Sequence, residues 1–313
     1  MRHGRFTNKA GRPRDHTYDS IGHDLILERQ QRVLGWVFIS PVIIFFLCFT
    51  VVPVLWTSWL SLHKYALNSP TNHFIGLDNY LWAFTREVFR ESFVRTLYFS
   101  VLYVSVGTVL GLALAMLVND IPRFQKLFRM VFFMPVITDV IAVSVIWLYL
   151  MQYRFGIFNA ILTAIGLPRF GWLVQEGTVI PSLVLFTVWH QVGATMIIFL
   201  AGLQTVPQEM LDAAAVDGAN RWQQIRHVKL PALAPVTWFV IITATIGALL
   251  VFGQVYVMTT GGPNDASRVL SYEIYSEAFQ FMSLGRASAM AFIMFLLIFV
   301  ITMAQVRISR RAV

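Results

Sequence analysis

Six apolar runs divide the chain, at Leu34–Leu60, Phe93–Val118, Met130–Met151, Ile180–Leu203, Val236–Met258 and Ala287–Val306. Each is close to the roughly 20 residues a helix needs to cross the hydrocarbon core of a bilayer. Lipid offers the backbone no hydrogen-bond partner, so a run of this length is expected to close its own bonds as a helix. The pattern predicts an all-α polytopic membrane protein with six transmembrane helices. Pro41 and Pro53 should kink the first run. Gly107 and Gly111 in the second form a small-xxx-small pair, which lets another helix approach closely.

Composition agrees with this pattern. Hydrophobic residues make up 57% of the chain and charged residues 13%. A water-soluble domain carries about 25% charge, so a fully hydrated surface is excluded. The net charge of +8 could suggest a nucleic-acid partner. The basic residues, however, sit in chain ends and short loops and are not interleaved with aromatics, so no nucleic-acid surface is expected. Topology accounts for them better. With the N-terminus inside, 16 of the 24 Lys and Arg fall on the cytoplasmic side and 8 on the other, as the positive-inside rule requires. Both termini are then cytoplasmic in a bacterial inner membrane. Residues 1–33 form a basic tail, 34–306 the six-helix transmembrane body, and 307–313 a short C-terminal tail. The tail is expected to be disordered. Its charged lead is too long, and the run that follows too close to a full span, for a cleaved signal peptide. Cys48 is the single cysteine, so no disulfide within the chain is expected.

Two outer loops carry pattern of their own. One reads Phe74-Ile75-Gly76-Leu77-Asp78-Asn79-Tyr80. The other runs from Thr259-Thr260-Gly261-Gly262-Pro263-Asn264-Asp265, a turn signal, into Tyr272, Tyr275 and Phe279 on one helical face. That face suits either packing at the outer mouth or a lid.

The segment from Glu209 to Pro235 differs from every other connection. It is long, polar and helix-competent between two apolar runs. Thr205 and Gln208 fit a capping box. Glu209 and Asp212 place negative charge near a helix N-terminus. Ala213, Ala214 and Ala215 favour helix and leave a low surface on which another chain can rest closely. Gly218 supplies a left-handed terminator, and Asn220 with Gln223 caps a second short helix. Pro231 and Pro235 mark the return to the membrane.

This constellation resembles a known signature. Asp212-Ala213-Ala214, then Asp217-Gly218-Ala219, and later Val228-Lys229-Leu230-Pro231, is similar to the "EAA" loop of binding-protein-dependent ABC import permeases. Phe74 to Tyr80 and Thr260-Gly261-Gly262-Pro263 resemble outer loops of the carbohydrate-uptake members, of maltose and glycerol-3-phosphate type. Two departures stand out: Asp212 where the signature has Glu, and Val228 where it has Ile. The resemblance implies a cytoplasmic two-helix coupling loop (205–235) between spans 4 and 5. Its ATPase-coupling residues would be Glu209, Asp212, Ala213, Ala214, Asp217, Gly218, Leu230 and Pro231. Implied partners are a second permease subunit, two ABC ATPases and an extracytoplasmic solute-binding protein. The chain itself has no Gly-x-x-x-x-Gly-Lys-Ser/Thr loop. It is therefore expected to be no enzyme and to bind no cofactor, with ATP and Mg on the partner ATPases.

A solute path needs polar or aromatic groups inside the spans. Asp139, Trp189, Gln191, Gln254 and Tyr256 are the candidates, with His190 beside them. Each also has a purely structural use as a cap or as interhelical glue. The alternative class is an ion-coupled secondary transporter of a small polar solute, which needs intramembrane acids and broken repeats. Asp139 alone fits that requirement, and the long polar loop would then have no use. Metal or catalytic-triad chemistry finds no ligand spacing among the histidines.

Overall fold

The computed structural model describes residues 34–66 and 72–312; the basic tail expected over residues 1–33 lies outside the described residues. The chain divides near Trp56 into two compact units. The described residues of the first belong to helix α1 (Leu34–Ser61), which runs across the division. Pro41 does not interrupt α1. Pro53 lacks the N–H that would bond Phe49, and there the helix widens into a π turn at Leu47–Val51. The second unit holds all the remaining elements.

Within that unit, His63–Lys64 (β1) pairs antiparallel with His73–Phe74 (β2). The amphipathic helix α2 (Asp78–Thr85) follows. Asn79 is buried and donates to the carbonyls of Ser61 and His63 at 2.8 and 3.0 Å, which fixes the Phe74–Tyr80 loop to the end of α1. Long helices α3 (Glu87–Asn119) and α7 (Glu176–Leu203) form the central pair. Gly111 makes their contact possible, because a Cβ there would lie 2.3 Å from Thr195 Cγ2. Apolar clusters around Phe99, Leu183 and Phe186, and around Met196, Phe199 and Leu200, fill the centre.

Two predicted continuous spans are broken. Over Met130–Met151 the structure has α4 (Gln125–Phe133), a 3-10 turn at Met134–Ile137 and α5 (Val140–Leu150). The halves are bent by 97°. Pro135 removes a backbone donor, and Asp139 Oδ1 accepts from the N–H groups of Ile141 and Ala142 at 3.0 and 2.9 Å, starting a new helix. Asp139 is therefore a helix cap at a break and not an acid within a continuous span. Helix α6 (Ile157–Ala164) follows. Over Val236–Met258 the chain forms α10 (Ala234–Leu249) and α11 (Gly253–Met258), interrupted at Leu250–Phe252. Ser271 Oγ donates to the Val251 carbonyl freed by that interruption. Between α7 and α10 lie α8 (Gln208–Val216) and α9 (Arg221–Gln224), the latter continuing through a π turn at Ile225–Lys229. Helix α12 (Leu270–Tyr275), extended by a π turn at Ser276–Gln280, and α13 (Leu284–Ala312) complete the chain. Tyr272, Tyr275 and Phe279 line up as the spacing predicts, with ring centroids 6.4 and 5.2 Å apart.

By length and apolar composition, four helices among the described residues can cross a membrane: α1, α3, α7 and α13. The count rises to six if each of two bent pairs is one span, α4–α5 and the Arg221–Ala232 segment with α10.

Candidate functional site

A cavity of about 470 Å³ lies between the middles of α3, α7 and α10, reaching both helix breaks. Phe99 and Tyr103 come from α3, and Phe186, Thr187, Gln191, Ala194, Thr195 and Ile198 from α7. The α7 residues recur at helical spacing, one face of a long helix. The broken segments add Val140, from the first turn of α5, Val251 and Phe252, from the break before α11, and Gln254, from the first turn of α11. Non-helical backbone at this depth is tolerated where it borders a cavity and its groups are otherwise satisfied. Here the breaks border the cavity, and the Thr138 and Val251 carbonyls have side-chain partners.

The polar groups on the wall are held by one another. Gln254 is buried, and its Nε2 donates to Thr187 Oγ1 at 3.1 Å. His190, also buried, reaches the Thr138 carbonyl with Nε2 at 3.3 Å. Its Nδ1 lies 3.0 Å from Gln191 Nε2. A carbonyl can only accept, so Nε2 carries the proton and Nδ1 accepts from the Gln191 amide. His190 thus ties the α4–α5 break to α7. The sequence pointed to His190 only as a neighbour of Gln191; the orphan carbonyl it serves arises from a break that a smooth hydropathy run conceals.

The candidate path residues separate. Gln191 and Gln254 stand on the cavity wall. Trp189 turns away from it and meets Trp147, with centroids 5.0 Å apart. Tyr256 joins an aromatic group with Phe252 and Tyr275, at 5.4 and 5.3 Å. Asp139 caps α5 one residue before Val140. Sequence reasoning missed Phe99, Tyr103, Phe186 and Phe252, because an aromatic residue in an apolar run carries no sign of which way it faces.

The second candidate region is the α8–α9 element, at the end of α7 and α10 away from α11. It is almost wholly exposed. The capping box expected from Thr205 and Gln208 does not form. Thr205 Oγ1 instead donates to the Gly202 carbonyl at 2.8 Å, closing the end of α7, and Gln208 Nε2 donates to Asp212 Oδ1 at 2.9 Å. The N-cap of α8 is Pro207, without a side-chain bond. The box at Asn220 and Gln223 is complete, with bonds of 2.9 and 2.8 Å. Gly218 joins the two helices at φ +81°, a conformation costly for any side chain with a Cβ. Glu209, Asp212, Ala213, Asp217 and Gly218 are solvent-exposed, with Ala214 half-buried. Leu230 and Pro231 stand exposed at the return to α10. Met210, Val216 and Trp222 are exposed apolar residues here, Val216 at 88% and Trp222 at 67%. A shallow notch between the helices is lined by Ala214, Asp217, Gly218, Ala219, Gln223, His227 and Val228.

The chain is 32% identical over 287 residues to the trehalose/maltose transport system permease protein MalF of Thermococcus litoralis, covering 91% of this chain and 96% of that one. It is 31% identical over 262 residues to the sn-glycerol-3-phosphate transport system permease protein UgpA of Yersinia pestis, covering 83% and 87%. Its fold matches a chain of a bacterial ABC transporter involved in the import of the acidic polysaccharide alginate, at a TM-score of 0.80 and 24% identity, covering 92% of this chain and 99% of that one. Residues 107–313, which include both the cavity's α7–α11 wall and the α8–α9 element, match the family described as binding-protein-dependent transport system inner membrane component. The chain belongs to that family of ABC importer permeases.

Proposed function

We propose that this chain is the membrane-spanning permease subunit of an ATP-driven, binding-protein-dependent importer of a sugar, or of a related polyol or glycerol-phosphate solute. The observation that carries the reading is a connection: the exposed α8–α9 element joins the two helices, α7 and α10, that wall the central cavity. Displacement of that element therefore acts directly on the cavity.

In this reading both bent pairs count as spans, giving six, with both termini and the α8–α9 element cytoplasmic. The element docks on an ABC ATPase. Ala213 and Ala214 allow close approach, Asp212 and Asp217 offer charge-assisted hydrogen bonds, and Leu230 and Pro231 transmit the motion into α10. Glu209, exposed in the first turn of α8, can share the acid's part with Asp212. ATP and Mg belong to two partner ATPases, which this subunit meets together with a second permease. A solute-binding protein delivers solute to the opposite face. ATP-driven closure of the two ATPases pushes the docking elements together, their reopening lets them part, and the cavity opens alternately to the two sides.

Co-expression with its genomic neighbours tests the reading. A complex that survives solubilisation, with ATPase activity dependent on this chain, is the expected result. Failure of the chain to associate with any ATPase would sink it.

A further inference from the structure

We infer that the cavity takes an uncharged, hydroxyl-bearing solute, a neutral sugar or polyol, and disfavours a sugar acid or phosphate ester. The inference rests on the reading of this cavity as the solute site and narrows it to one of the chemistries left open above.

Three features of the cavity lead here. First, none of its described lining residues carries a formal charge. His190, the one titratable group on the wall besides Tyr103, has both ring nitrogens engaged, by the Thr138 carbonyl and by Gln191 Nε2, so neither is free to meet an anion. An anion moved from water into such a site needs a cation or several convergent N–H groups to offset its lost hydration.

Second, the polar groups match hydroxyls. Gln191 and Gln254 each spend one N–H internally, on His190 and Thr187. Each keeps its carbonyl oxygen and a second N–H. An adjacent acceptor and donor suit a hydroxyl, which both gives and takes a hydrogen bond. A carboxylate or phosphate only takes, and the amide oxygens would face it with like partial charge. Phe99, Phe186 and Phe252 supply flat apolar walls for the C–H faces of a ring.

Third, the natural anion site nearby is already filled. The start of α5 borders the cavity through Val140. A helix start presents free N–H groups and a positive dipole end, which attract anions. Here Asp139 Oδ1 occupies the N–H groups of Ile141 and Ala142. The cap removes the donors and adds a negative charge beside the cavity. Asp139 thus acts on the solute through charge, and need not touch it.

The test uses the chain in lipid nanodiscs with its partner permease, without the binding protein, so that the cavity alone is read. Radiolabelled glucose, maltose and trehalose are compared with sn-glycerol 3-phosphate and glucuronate. At least one neutral sugar is expected to bind, and a tenfold excess of either anion should not displace it. Asp139→Asn keeps a good cap, so sugar affinity and thermal midpoint should hold while anion affinity rises roughly threefold, a modest effect for a charge near the dipole. Gln191→Leu should weaken sugar binding by roughly tenfold or more, because it strands a hydroxyl. Binding of either anion as tight as the best sugar would overturn the inference. An anion affinity unchanged in Asp139→Asn would remove its charge argument. Binding of neither class would instead sink the assignment of the cavity as the solute site.

Discussion

The cavity wall and the α8–α9 element are built on opposite principles. On the wall, the buried polar groups that matter are satisfied within the chain: His190 by Thr138 and Gln191, Gln254 by Thr187. On the element, acids stand in water beside exposed Trp222, Met210 and Val216. Exposed apolar residues ringed by polar ones mark a surface that another protein covers. The buried polar groups of the wall thus find their partners within the chain, while the element leaves large apolar side chains in water, as the proposed docking on an ATPase would require. Changes to the wall should register in this chain's own stability, and changes to the element only in coupling.

The sharpest way to break this contrast is at Gly218. Its φ of +81° costs a β-branched residue about 1–2 kcal/mol or more locally and re-aims α9 relative to α8. Gly218→Val should abolish solute uptake in vesicles while the thermal midpoint of the isolated chain falls by no more than a few degrees. Near-normal uptake would show that the turn is not part of the coupling surface.

The next effect concerns the wall. His190→Leu removes the partner of the Thr138 carbonyl and of the Gln191 amide, two part-buried bonds worth about 0.5–1.5 kcal/mol each. The midpoint in detergent should fall clearly, with ATPase association intact. A loss of association with unchanged stability would reverse the roles assigned to the two regions.

Trp222 is the exposed aromatic of the element, and buried aromatics dominate interface energies. Trp222→Ala should weaken ATPase binding by on the order of 1 kcal/mol or more, roughly fivefold or greater. Titration of the complex checks it, and unaltered affinity would place the contact elsewhere on α8–α9.

The smallest effect tests an exception within the interior. Glu277, in the π turn after α12, is buried with Oε2 lacking a hydrogen-bond partner. Burial raises its pKa; Arg286 opposes this, Glu273 adds to it, and Arg86 and Arg268 oppose it more weakly. A carboxyl whose folded pKa is raised loses its proton later in the folded state than in the unfolded one. Stability should therefore fall as pH rises from the ordinary carboxylate range through the raised value, and return on acidification. Glu277→Gln should raise the midpoint at pH 7.5, with the gain shrinking toward pH 5. A gain independent of pH would mean that Glu277 strains the site by shape and not by charge.

The sequence alone determined the class of the protein and the character of its most distinctive segment. Hydropathy runs near bilayer length and the paucity of charge are properties of local sequence, so the apolar helices were legible. Gly218 and the Asn220–Gln223 box were legible too, because they act within a few residues. The Thr205–Gln208 box looked just as good and did not form. Thr205 instead bonds back to Gly202 at the end of α7, a choice that depends on where that helix stops.

Only the tertiary structure decided the cavity. Hydropathy sums over a window and cannot see that Pro135 and Asp139 end one helix and start another at 97° to it. Nor could it show that Gln191 and Gln254, 63 positions apart in sequence, share a wall while Trp189 and Tyr256 face elsewhere. Facing is set by which helices touch. That follows from close contacts such as Gly111 against Thr195 and from the bonds that satisfy broken backbone, both of them interactions between segments distant in the chain.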